Sequence, residues 1–116
     1  MKYWKHESEI TSYIPPNHDF TNNRRMVSKE DGINNVEMII GEMKEGGGAV
    51  PHSHDDIEQL MYILEGRMYA KIGEDEAELT PGYSVIIPKK VTHDIRNAGK
   101  GTLKFVLIYS PGKRGR

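Results

Sequence analysis

The sequence contains no cysteine, and this absence removes several kinds of chemistry at once. Disulfide bonds, thiolate metal ligands and a thiol nucleophile are all excluded. No apolar run approaches the roughly 20 residues of a membrane-spanning helix, so no membrane partner is expected. The chain also has no large excess of positive or negative charge, because 16 lysine and arginine residues balance 17 acidic ones. This balance predicts no nucleic-acid partner.

The length of 116 residues and a hydrophobic share of 36% predict a single globular domain with one core. The first residues lack the apolar segment of a signal peptide, so we expect a soluble, cytoplasmic protein. Pro15-Pro16 excludes a helix within residues 1–25, which are predicted to form an N-terminal arm. Ser8–Ile14 is expected to pair as an edge strand of this arm.

The remainder of the chain is predicted to be a barrel over residues 26–109 and a basic tail over 110–116. Its pattern consists of short strands separated by turn signals, with no helical periodicity. The predicted strands are Asn35–Met43, Gln59–Leu64, Arg67–Ile72, Glu76–Thr80, Tyr83–Ile87, Thr92–Asn97 and Thr102–Tyr109. Together with the edge strand Ser8–Ile14, these segments predict eight or nine strands. Such a number favours an all-β, antiparallel sandwich or barrel.

Apolar residues on these strands indicate which side chains face the interior. Val36, Met38 and Ile40 alternate along one strand and are predicted to share a face. Met38 and Met61 are candidates for apolar cavity walls. A small barrel cannot leave many strand edges open, so closure or pairing with a second copy is expected. Aromatic residues that lie outside this pattern favour a homodimer; they are Tyr3, Trp4, Tyr13 and Phe20.

A pair of histidines provides the clearest chemical signal. His52 and His54 are two residues apart, so an extended chain projects both imidazoles from one face. Glu58 and Gln59 compete to complete a metal site, since adjacent strand residues point to opposite sides and only one of them enters the cavity. Further along the chain, His93 follows Pro88 and shares a face with Ile95 and Asn97.

Two long motifs resemble those of the cupin superfamily. The first motif reads Gly46-x5-His52-x-His54-x4-Gln59-x6-Gly66. The second reads Gly82-x5-Pro88-x-Lys90-x2-His93-x3-Asn97, and Lys90 replaces the second glycine of the family pattern. The resemblance implies a small single-domain cupin, with the antiparallel jelly-roll barrel of that family.

The resemblance also implies a set of metal ligands, namely His52, His54, Gln59 and His93, with Glu58 as the alternative to Gln59. Imidazole nitrogens suit one divalent transition metal among Fe, Mn, Ni, Zn and Cu, whereas Ca and Mg prefer more oxygen ligands. A shell that contains Gln59 is neutral, so the ion keeps its full charge and acts as a stronger Lewis acid. Three or four protein ligands leave positions open, which predicts a substrate-binding or catalytic site.

Among cupins, the H-x-H-x4-Q pattern is most similar to the pectin-degradation cupins, which linearise unsaturated uronates. Those proteins carry an acid on the last strand and an arginine after the following proline. This chain has Leu107 and Lys113 at these places, so uronate processing is less favoured.

Three functional hypotheses follow from this metal site. The first is an isomerase or lyase-type enzyme that acts on a small carbonyl, enol or sugar-derived substrate. The second is an Fe- or Mn-dependent dioxygenase, and the third is a non-catalytic barrel that binds metal or a small ligand. The general base of an enzyme would be hydroxide on the metal or one of four ionisable residues, Tyr69, Lys71, Tyr109 and Lys113.

Overall fold

The computed structural model describes residues 3–112, so the catalytic candidate Lys113 lies outside the described residues. Eight strands and two short 3-10 helices, Glu7–Glu9 and Lys29–Asp31, make up the regular structure of this range. The strands are β1 (His18–Val27), β2 (Glu37–Ala49), β3 (Glu58–Glu65), β4 (Met68–Ile72), β5 (Asp75–Leu79), β6 (Ser84–Ile87), β7 (His93–Asn97) and β8 (Leu103–Ser110). The prediction of an all-β fold with eight or nine strands is confirmed.

All strand pairs are antiparallel, and the sheet order is β5-β4-β7-β2-β8-β3-β6, with β1 pairing on β2. The long strand β2 organises the sheet. Its first half pairs with β8, from Glu37 opposite Tyr109 to Met43 opposite Leu103. Its second half approaches β7, where Gly48 lies opposite Arg96. The sheet therefore curls into an antiparallel jelly-roll barrel around its inward-facing side chains.

The core consists of the inward-facing residues of six of these strands. In β3 every second residue is buried, which is the period of a strand with one face toward the core. The largest cluster of buried apolar residues contains Ile39, Met43, Met61, Ile63, Met68, Ala70, Val85, Ile87, Ile95, Leu103, Phe105 and Leu107. Burial of each large aliphatic side chain stabilises the fold by about 1.5–3 kcal/mol, before conformational entropy is subtracted.

Gly66 makes the tight connection between β3 and β4. It has φ = +88°, and a Cβ at this position would lie 2.5 Å from the carbonyl oxygen of Thr102. Glycine adopts this backbone conformation without strain, and because it has no Cβ it also tolerates such a close approach. The last glycine of the first motif is therefore explained by the turn itself.

The N-terminal region differs from the prediction. Of the segment Ser8–Ile14, only Tyr13 pairs with a strand, through two 2.8 Å backbone hydrogen bonds with Asn23, so the expected edge strand is absent. Strand β1 covers His18–Val27 instead. Its polar composition has low strand propensity, and it forms a strand because it pairs with β2 along most of its length.

Several apolar side chains remain on the surface. Tyr3, Trp4 and Phe20 are 86%, 76% and 64% exposed, so they do not pack onto the barrel of a single chain. Between residues 3 and 112, no helix has the length and apolar character needed to cross a bilayer.

Candidate metal centre

Three imidazole rings converge at one end of the barrel interior. His52 and His93 lie directly opposite each other in an isolated antiparallel bridge, with backbone N–H···O distances of 3.1 and 2.8 Å. Their ring centroids are 4.3 Å apart, and the His54 ring lies 4.9 Å from His52 and 5.3 Å from His93. One nitrogen from each ring lies within 4.8 Å of the other two. The three rings can therefore hold one metal ion.

Backbone carbonyl groups set the orientation of two of these rings. The Nδ1–H of His52 donates to the carbonyl oxygen of Val50 at 2.7 Å, and that of His93 to Val91 at 3.3 Å. Because a carbonyl oxygen only accepts, Nδ1 carries the proton and Nε2 retains its lone pair. This arrangement is typical of histidines that ligate a metal through Nε2.

Gln59 and Glu58 take opposite sides of β3. Gln59 is buried, lines the same cavity as the histidines, and has a side-chain oxygen that accepts no hydrogen bond from residues 3–112. Glu58 is exposed to solvent at the start of the strand. A buried amide oxygen that accepts no hydrogen bond still has lone pairs with which it can bind a cation. The residues present therefore fit a divalent ion, and Gln59 is better placed than Glu58 to be its fourth ligand.

Lys90, which replaces the second glycine of the second motif, lies in the turn that supports His54. Lys90 adopts φ = +68°, in the left-handed region that favours glycine, and its N–H donates to the carbonyl oxygen of His54 at 2.6 Å. A side chain in this conformation costs about 1–2 kcal/mol. The replaced glycine therefore belongs to a turn and not to the set of metal ligands.

The histidines open into a cavity of about 630 Å³, a size that suits a small molecule. Its apolar wall is formed by Ile39, Met43, Met61, Ile95, Phe105 and Leu107. Met61 lines this cavity as predicted, but the prediction for Met38 is wrong. On β2 the inward face carries Glu37, Ile39, Gly41 and Met43. Both faces of this segment carry apolar residues, so alternation alone did not identify the inner one.

Of the catalytic candidates in the described chain, only Tyr109 lines the cavity. Its ring lies 6.1 Å from that of His54, and burial raises the pKa of its hydroxyl well above the ordinary value. Tyr109 therefore keeps its proton at neutral pH. Tyr69 and Lys71 lie on the outer side of β4, where the Tyr69 hydroxyl donates to Glu76 at 2.6 Å. Neither of them borders the cavity.

The structure also adds residues that the sequence did not indicate. His18 lines the cavity, with its ring 6.3 Å from that of His52. The buried Glu37 and the partly exposed Arg25 contribute an ion pair to the cavity wall. No local pattern identifies His18 or Arg25. Glu37 shares a strand face with Ile39 and Met43, but the sequence did not show that this face is the inner one.

Comparison with known proteins identifies the class to which this fold and site belong. The family model described as a cupin domain matches residues 39–109, which is more than half of the chain. The chain belongs to the cupin family. The matched range contains the three histidines, Gln59 and the strands that carry them.

Individual proteins are also similar to this chain. An uncharacterised protein of Methanocaldococcus jannaschii is 33% identical over 66 residues, which are 57% of this chain and 53% of that protein. The chain thus matches about half the length of this curated relative. The polyketide cyclase RemF from Streptomyces resistomycificus has a similar structure, with a TM-score of 0.86 and 23% identity over 97% of this chain and 81% of RemF.

The structure of KdgF from Halomonas sp. is similar over nearly the whole of both chains, at 98% and 97%. Its TM-score is 0.83 and its sequence identity is 15%. Because both structural neighbours are below 25% identical to this chain, these similarities concern the fold alone.

Proposed function

We propose that this cupin is an enzyme that uses one divalent transition metal to bind a small oxygenated substrate for isomerisation or lyase-type proton transfer. The observation that carries the proposal is the convergence of three histidine nitrogens within 4.8 Å at the wall of a cavity of about 630 Å³. A closed structural site would not face a cavity of this size.

Each group of residues at the site has a separate role in this proposal. A bound ion would be held by Nε2 of His52 and of His93, a nitrogen of His54 and the side-chain oxygen of Gln59. When bound, the ion supplies a Lewis acid that stabilises negative charge on a carbonyl or enol oxygen. Tyr109 retains its proton and can donate a hydrogen bond to the substrate. The apolar wall excludes water and strengthens these polar contacts.

Two features of other proteins bear on the choice of reaction. RemF is a polyketide cyclase, so a similar barrel supports enzymatic chemistry on an oxygenated substrate. The pectin-degradation cupins carry an acid on the last strand, whereas the corresponding Leu107 here is a buried part of the cavity wall. Without that acid, uronate processing is not the reaction that we propose.

The test begins with the metal content of the purified protein, followed by loading of the stripped protein with Fe²⁺, Mn²⁺, Ni²⁺, Zn²⁺ or Cu²⁺. Each form is then incubated in D₂O with small hydroxyketones, and NMR measures exchange of the proton next to the carbonyl group. We expect exchange that depends on the metal and that a chelator abolishes. The chelator-treated protein reloaded with metal is the control.

The alternative functions give different results in the same assays. Consumption of O₂ with the Fe or Mn form, in place of proton exchange, would indicate the dioxygenase. Saturable binding of metal or ligand without turnover of any compound would indicate the non-catalytic barrel. Failure of all five ions to bind would overturn the proposal.

The homodimer and the cytoplasmic location remain predictions. The dimer is supported by exposed apolar side chains in neighbouring positions on the outer face of β3 and β6, namely Leu60, Tyr62 and Ile86. Such a row is a common feature of protein interfaces. Sedimentation of the purified protein measures its oligomeric state directly.

A further inference from the structure

A second polar group lies in the cavity wall, away from the histidines. Glu37 begins β2, is 1% exposed and lines the cavity. Neither of its carboxylate oxygens accepts a hydrogen bond from any residue that the structure describes. A buried carboxylate without hydrogen bonds is disfavoured, so both oxygens are able to accept hydrogen bonds from a molecule inside the cavity.

Arg25 balances the charge of Glu37 without satisfying its oxygens. The Arg25 Nε atom lies 3.5 Å from Oε2 of Glu37, which is longer than a normal hydrogen bond. The guanidinium group is held elsewhere, because its NH2 group donates to the Tyr13 hydroxyl at 3.0 Å and the group lies 4.4 Å from the centre of the Tyr13 ring. Glu37 therefore keeps both a nearby counter-charge and free acceptor capacity.

The two strand registers give the distance between the backbones of Glu37 and Gln59, the candidate fourth ligand. Glu37 lies opposite Tyr109 on β8, and Tyr109 lies opposite Gln59 on β3. Two steps of about 4.8 Å between strands separate the backbones of Glu37 and Gln59 by about 10 Å. Apolar side chains of Ile39, Met61 and Leu107 line the cavity with these polar groups.

We propose that Glu37 accepts a hydrogen bond from a hydroxyl group of the ligand, and that the ligand is a ring-sized molecule with polar groups at both ends. One end carries the oxygen that meets the metal, the middle lies along Tyr109 and the apolar wall, and the other end carries the hydroxyl group. This proposal names the substrate class of the same cavity and, for its metal-binding end, rests on the proposed function. A purely structural ion pair would bind no ligand group.

The test uses two pairs of probes that differ in one donor group. Benzohydroxamate and para-hydroxybenzohydroxamate both chelate Zn²⁺, and only the second has a distal hydroxyl group. Calorimetry measures their affinities for the Zn²⁺-loaded protein. We expect the hydroxyl group to strengthen binding about tenfold or more, since hydrogen bonds to charged groups are strong. In Glu37→Gln this gain should fall to about twofold or less.

A matched control comes from the outer face of the same two strands. Glu42 pairs with Arg24 at 3.3 Å, as Glu37 pairs with Arg25, but Glu42 lies on the opposite face of β2 and does not border the cavity. Glu42→Gln should keep the full gain. An equal gain in the wild type and Glu37→Gln, or no gain in the wild type, would overturn the proposal.

The second pair, phenol and anisole, separates this proposal from the metal site because neither compound needs a metal. The metal-free full-length protein should prefer phenol about tenfold, and Glu37→Gln should lose most of that preference. If Zn²⁺ does not improve benzohydroxamate binding, the proposed function fails and the phenol preference still decides the role of Glu37. If Glu37→Gln does not fold, Glu37→Asp replaces it, because the shorter side chain keeps the charge and moves the carboxylate oxygens away from the ligand. A hydroxyl-dependent gain in affinity as large as in the wild type would equally overturn the proposal.

Discussion

The histidine end and the Glu37 end of the cavity are assembled from different parts of the chain. The histidine end contains His52, His54, His93 and Gln59, and most of it lies within eight consecutive residues. The Glu37 end contains Glu37, Arg25 and Tyr13, which come from β2, β1 and the N-terminal arm. The first end arises from local spacing, whereas the second exists only because β1 pairs with β2.

The two ends also differ in how their polar groups are satisfied. At the histidine end, backbone carbonyls fix the rings of His52 and His93 and leave ligand nitrogens directed at one point. At the Glu37 end, a buried carboxylate is paired with a partly exposed arginine, and the carboxylate lacks hydrogen bonds from the described chain. Changes at the first end should therefore affect metal binding, and changes at the second should affect stability and ligand selectivity.

The largest expected effect concerns the histidine end. His93→Ala removes one of three imidazole ligands, and we expect metal affinity to fall by about a hundredfold or more. Proton-exchange activity should disappear, while the melting temperature of the metal-free protein should change little. Calorimetric titration with Zn²⁺ measures the affinity. The control is His6→Ala, whose ring lies on the surface and contacts Ser8; an unchanged affinity in His93→Ala would contradict the assignment.

The next effect concerns the stability of the Glu37 end. Arg25→Leu leaves the Glu37 carboxylate buried without a counter-charge, and we expect the free energy of unfolding to fall by about 3 kcal/mol. Urea denaturation measures this difference. Arg24→Leu on the outer face is the control and should lower it by less than about 1 kcal/mol, because the Arg24–Glu42 pair is partly exposed. Equal losses in the two variants would remove the distinction between the inner and outer pairs.

A smaller effect distinguishes the two candidates for the fourth ligand. Gln59→Ala should weaken Zn²⁺ binding about tenfold, since it removes a buried oxygen from the ligand set. Glu58→Ala should leave the affinity within about twofold, because that side chain is exposed. If Glu58→Ala weakens Zn²⁺ binding and Gln59→Ala does not, the ligand assignment on β3 must be exchanged.

The smallest effect concerns the turn at Lys90. Lys90→Gly relieves the left-handed strain and adds chain entropy to the unfolded state, so we expect a gain in the free energy of unfolding of at most about 1 kcal/mol. Metal affinity should stay within twofold, because the hydrogen bond from residue 90 to His54 uses only backbone atoms. Thermal denaturation and Zn²⁺ titration measure both quantities. A loss of more than 1 kcal/mol would show that the lysine side chain itself stabilises the turn.

Sequence patterns predicted the fold from β3 onward with good boundaries. The predicted strand Gln59–Leu64 became Glu58–Glu65, and Thr102–Tyr109 became Leu103–Ser110. These strands are runs rich in apolar residues that are ended by glycine or proline, which act locally. Strand β1 was missed because its polar residues carry no such signal, and the inner face of β2 was misjudged because both of its faces hold apolar residues.

Strand periodicity placed His52 and His54 on one face, and the resemblance to the cupins added Gln59 and His93 to the predicted histidine end. The distance between His52 and His93 was decided by the pairing of segments 40 residues apart, which only the folded sheet brings together. The Glu37 end depended wholly on tertiary structure. A buried charge is tolerated only where a partner from another strand balances it, and that partner, Arg25, lies on the strand that local sequence did not reveal.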